Sequence, residues 1–175
     1  MYPATHEIER DALFKILNYD PETGIFTYKK GDMRGKKPTG EVGHIRANGE
    51  LVIMINKKPF LARRLAWFFV HQEWPDFLQN INHDRQDNRI SNIRKTSHIE
   101  SNKNKKMNRT NTSGYTGVYY VKRIKRWKAS IRVDGRLRHL GYFDDILDAK
   151  NERNKANEEY EFHENHGKII PKQEM

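Results

Sequence analysis

Between Ile81 and Asn102 the chain gathers His83, Asn88, Asn92, His98 and Asn102 into one short polar stretch. A neutral imidazole accepts a proton near physiological pH and suits general-base activation of water, whereas a carboxamide offers one neutral oxygen acceptor and two N–H donors that tie loops together. The chain has no cysteine, so a metal held here would have oxygen and imidazole ligands, a set that favours a hard cation. Spacing alone leaves two readings open, a catalytic loop and an ordinary asparagine-rich polar loop. For His98, which shares a helical face with Asn102 at i and i+4, a solvated or helix-packing side chain is the plainer reading.

The elements that must position these residues can be read from patterning. Thr5 is placed to cap a helix carrying Ile8, Leu13, Phe14 and Leu17, which ends before the turn Asp20-Pro21-Glu22-Thr23-Gly24. Ile25 to Lys29 alternates weakly, as a strand would. Asn48-Gly49 between residues 43–47 and 50–56 signals a hairpin, and Phe60 to His71 reads as a buried helix that Pro75 keeps from running on. Phe77 to Asn82 is a short strand leading into His83. Segment 103–112 has almost no apolar residues and no pattern and reads as a basic linker, which puts the domain boundary there.

Beyond the linker, residues 117–123, 126–133 and 136–143 are strand-like, the last two joined at Asp134-Gly135. A helix capped by Asp144 or Asp145 follows, with Ile146, Ala149, Ala156 and Tyr160 at helical spacing, and the pattern then fades into a polar tail over 163–175. No internal repeat is present.

The 175 residues carry 33 Lys and Arg against 23 Asp and Glu, a formal charge of +10, and are 35% hydrophobic. Such a chain suits two small domains better than one large core, and its charge calls for a polyanion. The excess is concentrated: between Ser101 and Tyr142 twelve basic residues face the single acid Asp134. In the middle strand Trp127, Ala129 and Ile131 alternate with Lys128, Ser130 and Arg132, so one face is apolar and the other basic and hydroxylic, as a sheet that enters a DNA major groove requires. No apolar run spans a bilayer and the N-terminus lacks the plan of a signal peptide, so the expected setting is the cytoplasm, with neither membrane nor obligate protein partner.

Two resemblances sharpen this. Ser113-Gly114-Tyr115-Thr116-Gly117-Val118, Arg126 to Arg132 and His139-Leu140-Gly141-Tyr142-Phe143, followed by an alanine-containing helix, resemble the plant ethylene-response-factor (APETALA-type) DNA-binding domain over residues 113–162. The resemblance implies DNA contact by Tyr119, Val121, Arg123, Lys128, Ser130, Arg132 and His139; Thr116 stands where the plant proteins usually have a base-contacting Arg, so their target sequence does not carry over. Tyr19 to Lys30, Leu61 to Trp67 and Asp87 to Arg94 look like phage His-Asn-His (HNH) homing endonucleases over roughly residues 10–105.

That second resemblance implies an N-terminal ββα-metal module (1–102, its core at about 77–102). His83 would be the general base, Asn92 the central residue that orients it, and one Mg2+ or Mn2+ would be held by Asn82 and by Ser101 or Asn102. Three places depart from the family pattern: neutral Asn82 where an acidic ligand is usual, Ser101 aligned with the second ligand while Asn102 sits beside it, and a loop after His83 about three residues short. Asp84 is a possible substitute carboxylate, and Arg63 stands where relatives often carry His. The expectation is an α+β chain with this module ahead of a three-stranded antiparallel sheet packed on one helix, acting as a metal-dependent, site-recognising endonuclease on double-stranded DNA in the cytoplasm, that of a bacterial host if the chain is phage-encoded. The alternative is a DNA-binding or regulatory protein on a decayed nuclease scaffold. An RNA-binding protein ranks below both, because no pair of exposed aromatics is evident on the sheet.

Overall fold

The computed structural model describes residues 10–29 and 42–168. The first helix's Thr5 and Ile8, and tail residues 169–175, lie outside them. The described chain is mixed α and β, with small antiparallel sheets and four α-helices. It divides into two compact units, Met1–Thr96 and Ser97–Met175.

In the first unit, α1 (Arg10–Ile16) leads directly into β1 (Leu17–Tyr19), which pairs with β2 (Phe26–Tyr28) across the Asp20–Gly24 turn. Leu17, expected on the helix, is therefore a strand residue, though fully buried either way. A three-stranded sheet follows, in the order β3 (His44–Ile45), β4 (Leu51–Ile55) and β5 (Lys58–Leu61). Helix α2 (Ala62–His71) starts two residues later than Phe60, because Asn56 and Lys57, at φ +50° and +63°, fold Lys58–Leu61 back onto β4. Pro59 is tolerated there because β5 is an edge strand.

Helix α2 stops at Gln72, ahead of Pro75, where a left-handed φ of 58° lets the Gln72 N–H donate to the Phe68 carbonyl. Leu13, Leu17, Phe26, Ile53 and Leu65 form the centre of this core, with the rings of Phe14 and Tyr19 tilted against Phe69 beside it. Each such fully buried side chain contributes about 1.5–3 kcal/mol. Strands β6 (Leu78–Asn80) and β7 (Ile93–Lys95) pair antiparallel and hold loop 81–92 between them; nothing in the residue pattern marks β7 as a strand.

The second unit opens on α3 (His98–Asn102), which the motif pattern places with the first module. Ser97 and Glu100 close its N-terminus as a reciprocal capping box. Strands β8 (Val118–Val121), β9 (Arg126–Val133) and β10 (Arg136–Phe143) form one antiparallel sheet in the order β10-β9-β8, and α4 (Ile146–Glu159) packs on it. Val118, Ala129, Ile131, Val133, Ala149 and Ala156 make the core between sheet and helix. Asp145 is the cap, accepting from the Leu147 N–H at 2.6 Å, while Asp144 instead takes both Arg126 Nε and Nη2 at 2.7 Å.

Segment 103–112 is irregular, as expected, but it is not a free linker. The Lys103 and Lys105 carbonyls accept from the His163 and Gly167 N–H groups at 3.1 and 2.7 Å, and the Lys105 N–H donates to His166 Nδ1. The start of the polar tail is thereby fixed to the same segment. These bonds run through backbone groups, which side-chain composition does not report.

Candidate functional site

Loop 81–92 is closed by carboxamides. The Ile81 N–H reaches the Asn92 carbonyl at 2.8 Å, and the Asn92 side chain, 6% exposed, accepts from the Asn82 N–H at 3.0 Å and donates to the Asp87 carbonyl at 2.9 Å. Asn80 donates to that same carbonyl at 2.8 Å. The backbone is thus gripped on both sides of His83, whose own N–H donates to the Asn80 carbonyl at 3.2 Å and whose φ is +64°. Left-handed backbone at a side-chain-bearing residue costs about 1–3 kcal/mol and persists only where the surroundings hold it.

The turn at 20–24 supports this loop from behind. The Tyr19 hydroxyl donates to the Asn88 carbonyl at 2.8 Å, and the Ile90 N–H donates to the Pro21 carbonyl at 3.1 Å. Gly24 lies so close that a Cβ there would stand 2.5 Å from the Arg89 nitrogen, at a φ of +76° that already favours glycine. Burial, with the charges of Asp20, Asp87 and Glu22 added, pushes the Tyr19 phenol well up, so it stays protonated and keeps donating.

The oxygens expected to hold a cation are engaged within the loop. Asn82 Oδ1 accepts from the Asp84 N–H at 2.9 Å while its Nδ2 donates to Asp87 Oδ2 at 2.7 Å. Asp84 Oδ1 accepts from the Gln86 N–H at 3.0 Å. Arg89 holds both Asp87 oxygens, at 2.9 and 2.6 Å. Burial alone would raise the Asp87 carboxyl, but the hydrogen bonds and charge of Arg89, with the Asn82 amide, outweigh it and hold Asp87 below the ordinary carboxylate value.

Ser101 and Asn102 stand on α3 in the second unit, and no group of three His, Asp or Glu side chains among the described residues converges as a metal-ligand set. The Asn82 and Asp84 side-chain oxygens thus each accept one backbone N–H beside His83. Asp87, the hub of the loop, carries no signal in the sequence beyond its place in the resemblance.

Arg63, standing where His is usual, ends on Glu50 at 2.8 Å. Glu50 is 5% exposed and also accepts from Asn48 at 2.9 Å, while Arg85 of the loop lies 4.0 Å from it and donates to the Asn48 carbonyl at 3.3 Å. Burial pushes Glu50 up; Asn48, Arg63 and Arg85 reverse that and bring it below its ordinary value. The β3–β4 turn is thereby tied to the loop that carries His83.

In the second unit, strand register sorts the face predicted to meet DNA. Lys128 pairs with Tyr119 on one side and Tyr142 on the other, Ser130 with His139, and Arg132 with Leu137. Alternation with the buried Ala129 and Ile131 puts these on the side away from α4. Tyr119 and Tyr142 are exposed and flank Lys128, whose Nζ lies 5.6 and 5.9 Å from their ring centroids. The Tyr119 hydroxyl holds the Lys128 ammonium above its ordinary value.

Two sequence expectations change here. The face does carry paired exposed aromatics; they come from the outer strands, so only the register brings them together. Ser130 is buried at 6% exposure, and its N–H and its hydroxyl both donate to the Gly117 carbonyl, at 2.9 and 3.5 Å. Arg138 turns to the helix side, where its guanidinium lies over the Tyr160 ring. Val121 pairs with Arg126 on the open face, Arg126 is held by Asp144, Arg132 donates to the Gly135 carbonyl at 2.9 Å, and Arg123 lies exposed in the β8–β9 turn.

Compared with family models, with curated proteins and with solved structures, the chain gives no match. No helix among the described residues is long and apolar enough to cross a membrane.

Proposed function

We propose that this chain is an HNH-type DNA endonuclease, with loop 81–92 of a ββα-like module carrying the chemistry and the open face of the β8–β10 sheet holding the duplex. The observation that carries the reading is the Asn92 carboxamide, bonded on either side of His83 to the Asn82 N–H and the Asp87 carbonyl. A buried amide that fixes the backbone next to one imidazole is what a positioned general base needs, since the base must be held within hydrogen-bond reach of the water it deprotonates.

In hydrolysis the water oxygen bonds to phosphorus as its proton passes to the His83 imidazole. The bond from phosphorus to one ester oxygen breaks, and that oxygen takes up a proton. A divalent cation, for which Asn82 with Ser101 or Asn102 would supply oxygen ligands, would neutralise phosphate charge, and no step is assigned to it.

One observation favours a second reading, DNA binding without cleavage: Asn82 Oδ1 already accepts from the Asp84 N–H, and the Asp87 carboxylate already accepts from the Asn82 amide and from Arg89. Incubation of supercoiled plasmid and phage DNA with the purified chain, with and without Mg2+ or Mn2+, separates the two. The nuclease reading expects nicked or linear product, and His83→Ala should lower the rate by about 10² or more while DNA affinity is kept. Equal inertness of wild type and variant on every DNA leaves the binding protein. Single-stranded DNA and RNA competitors show whether Tyr119 and Tyr142 turn preference away from the duplex.

A further inference from the structure

On the helix side of the second unit, away from the open face, α4, residues 114–116 and residues 162–168 enclose a cleft of about 720 Å³. Arg153 lines it and is 4% exposed. Its Nη1 donates to Asn157 Oδ1, its guanidinium lies 5.3 Å from the Phe162 ring centroid, and its buried Nε has no hydrogen-bond partner among the described residues. It forms no ion pair with a carboxylate among them. Gly117 allows this burial, since a Cβ there would stand 2.5 Å from Arg153 Nε.

A second buried donor in the same cleft, the Thr116 hydroxyl, also lacks a partner among the described residues. Burial pulls the Arg153 pKa down to about 10, which leaves the group charged at neutral pH. A desolvated cation with no counter-charge is unfavourable unless something supplies the charge. Lys150, with its Nζ 5.0 Å from the Tyr115 ring centroid, and Lys168 add positive charge to the lining, against the acids Glu158 and Glu164.

We propose that this cleft is an anion site that takes a terminal phosphate group, with Arg153 as its buried anchor and Lys150 and the Thr116 hydroxyl as further donors. A planar guanidinium fork together with ammonium and hydroxyl donors suits the several acceptor oxygens of a phosphoryl group. The volume also leaves room for an organic residue attached to it. The site is separate from the open sheet face and does not depend on the nuclease reading.

The test uses the full chain at constant ionic strength, titrated with inorganic phosphate and followed by amide 1H–15N spectra. Saturable shifts are expected at Thr116, Gly117, Asn157 and Gly167, with affinity lowered about tenfold or more in Arg153→Gln, as for loss of a charge-assisted bond. Lys150→Gln should weaken binding severalfold, and it carries the test if Arg153→Gln fails to fold. Lys58→Gln, exposed on β5 of the first unit, should leave phosphate affinity unchanged. A 5′-phosphorylated dinucleotide that binds more tightly than phosphate, while its dephosphorylated form does not bind, identifies a nucleic-acid end as the source; phosphate binding with no gain from the dinucleotide identifies the free ion. Shifts that do not saturate, shifts confined to the open sheet face, or undiminished affinity in a folded Arg153→Gln or Lys150→Gln variant would overturn the proposal.

Discussion

Asn82 ties two parts of loop 81–92 together, because its amide nitrogen donates to an Asp87 carboxylate that Arg89 already neutralises. Asn82→Asp replaces that donor with a second carboxylate, so two like charges meet at hydrogen-bond distance. The variant should lose about 1–3 kcal/mol of stability in chelator, read as a lower melting temperature, and recover it in millimolar Mg2+ if the two carboxylates accept a cation between them. An unchanged melting temperature in chelator would contradict the Asn82–Asp87 contact. Two native carboxylates of this unit set an acid limit. Asp87 and Glu50 lie below their ordinary values of 3.8 and 4.5, so the unfolded chain binds their protons first. Their contribution is complete above about pH 4.5 and is lost as pH falls through the depressed folded values. Urea unfolding between pH 6 and pH 2.5 should show this slope, and Asp87→Asn should flatten it.

Strand β9 illustrates how an element divides labour through a two-residue period. Its odd positions build the contact with α4, and its even positions give the open face Lys128 and Arg132. Because Arg126 is paired with Asp144 and Arg138 lies over Tyr160, the number of cations left to meet DNA is smaller than the sequence's basic run implies. Lys128→Ala and Arg132→Ala should each weaken duplex binding and reduce the salt slope by about 0.9 for every phosphate that is no longer neutralised. Fluorescence anisotropy at several salt concentrations measures both. Arg138→Ala should leave the slope unchanged, and a drop equal to that of Lys128→Ala would argue against the assigned face.

At the scale of the whole molecule, the division after Thr96 makes two separable pieces, and the second one includes the segment whose composition is that of a linker. A fragment of residues 97–175 should fold and bind duplex DNA by itself, since its core and its open face use no residue of the first unit. A shorter fragment starting at Asn111 lacks the Lys103 and Lys105 partners of His163, His166 and Gly167. It should be less stable, with faster amide exchange over 162–168. Equal exchange in the two fragments would remove any structural role from residues 103–110.

How much of the molecule is legible in its sequence follows the range of the interactions. Turn chemistry and strand alternation are local, so Asp134-Gly135, the Asn48-Gly49 hairpin, the two-faced β9 and the α4 cap region can be read directly from residue types. The polar stretch holding His83 and Asn92 is visible for the same reason. Long-range pairing is not visible: β7 is three residues with no pattern of its own, and it is a strand only because β6 supplies the partner. Composition makes 103–112 a linker, whereas backbone bonds to a distant segment fix it. Tyr119 and Tyr142, 23 positions apart in the chain, flank Lys128 only because β9 lies between their strands. Arg153 reads as one more cation on a polar helix until packing buries it, since residue type records charge and only the tertiary fold decides whether a counter-charge is within reach.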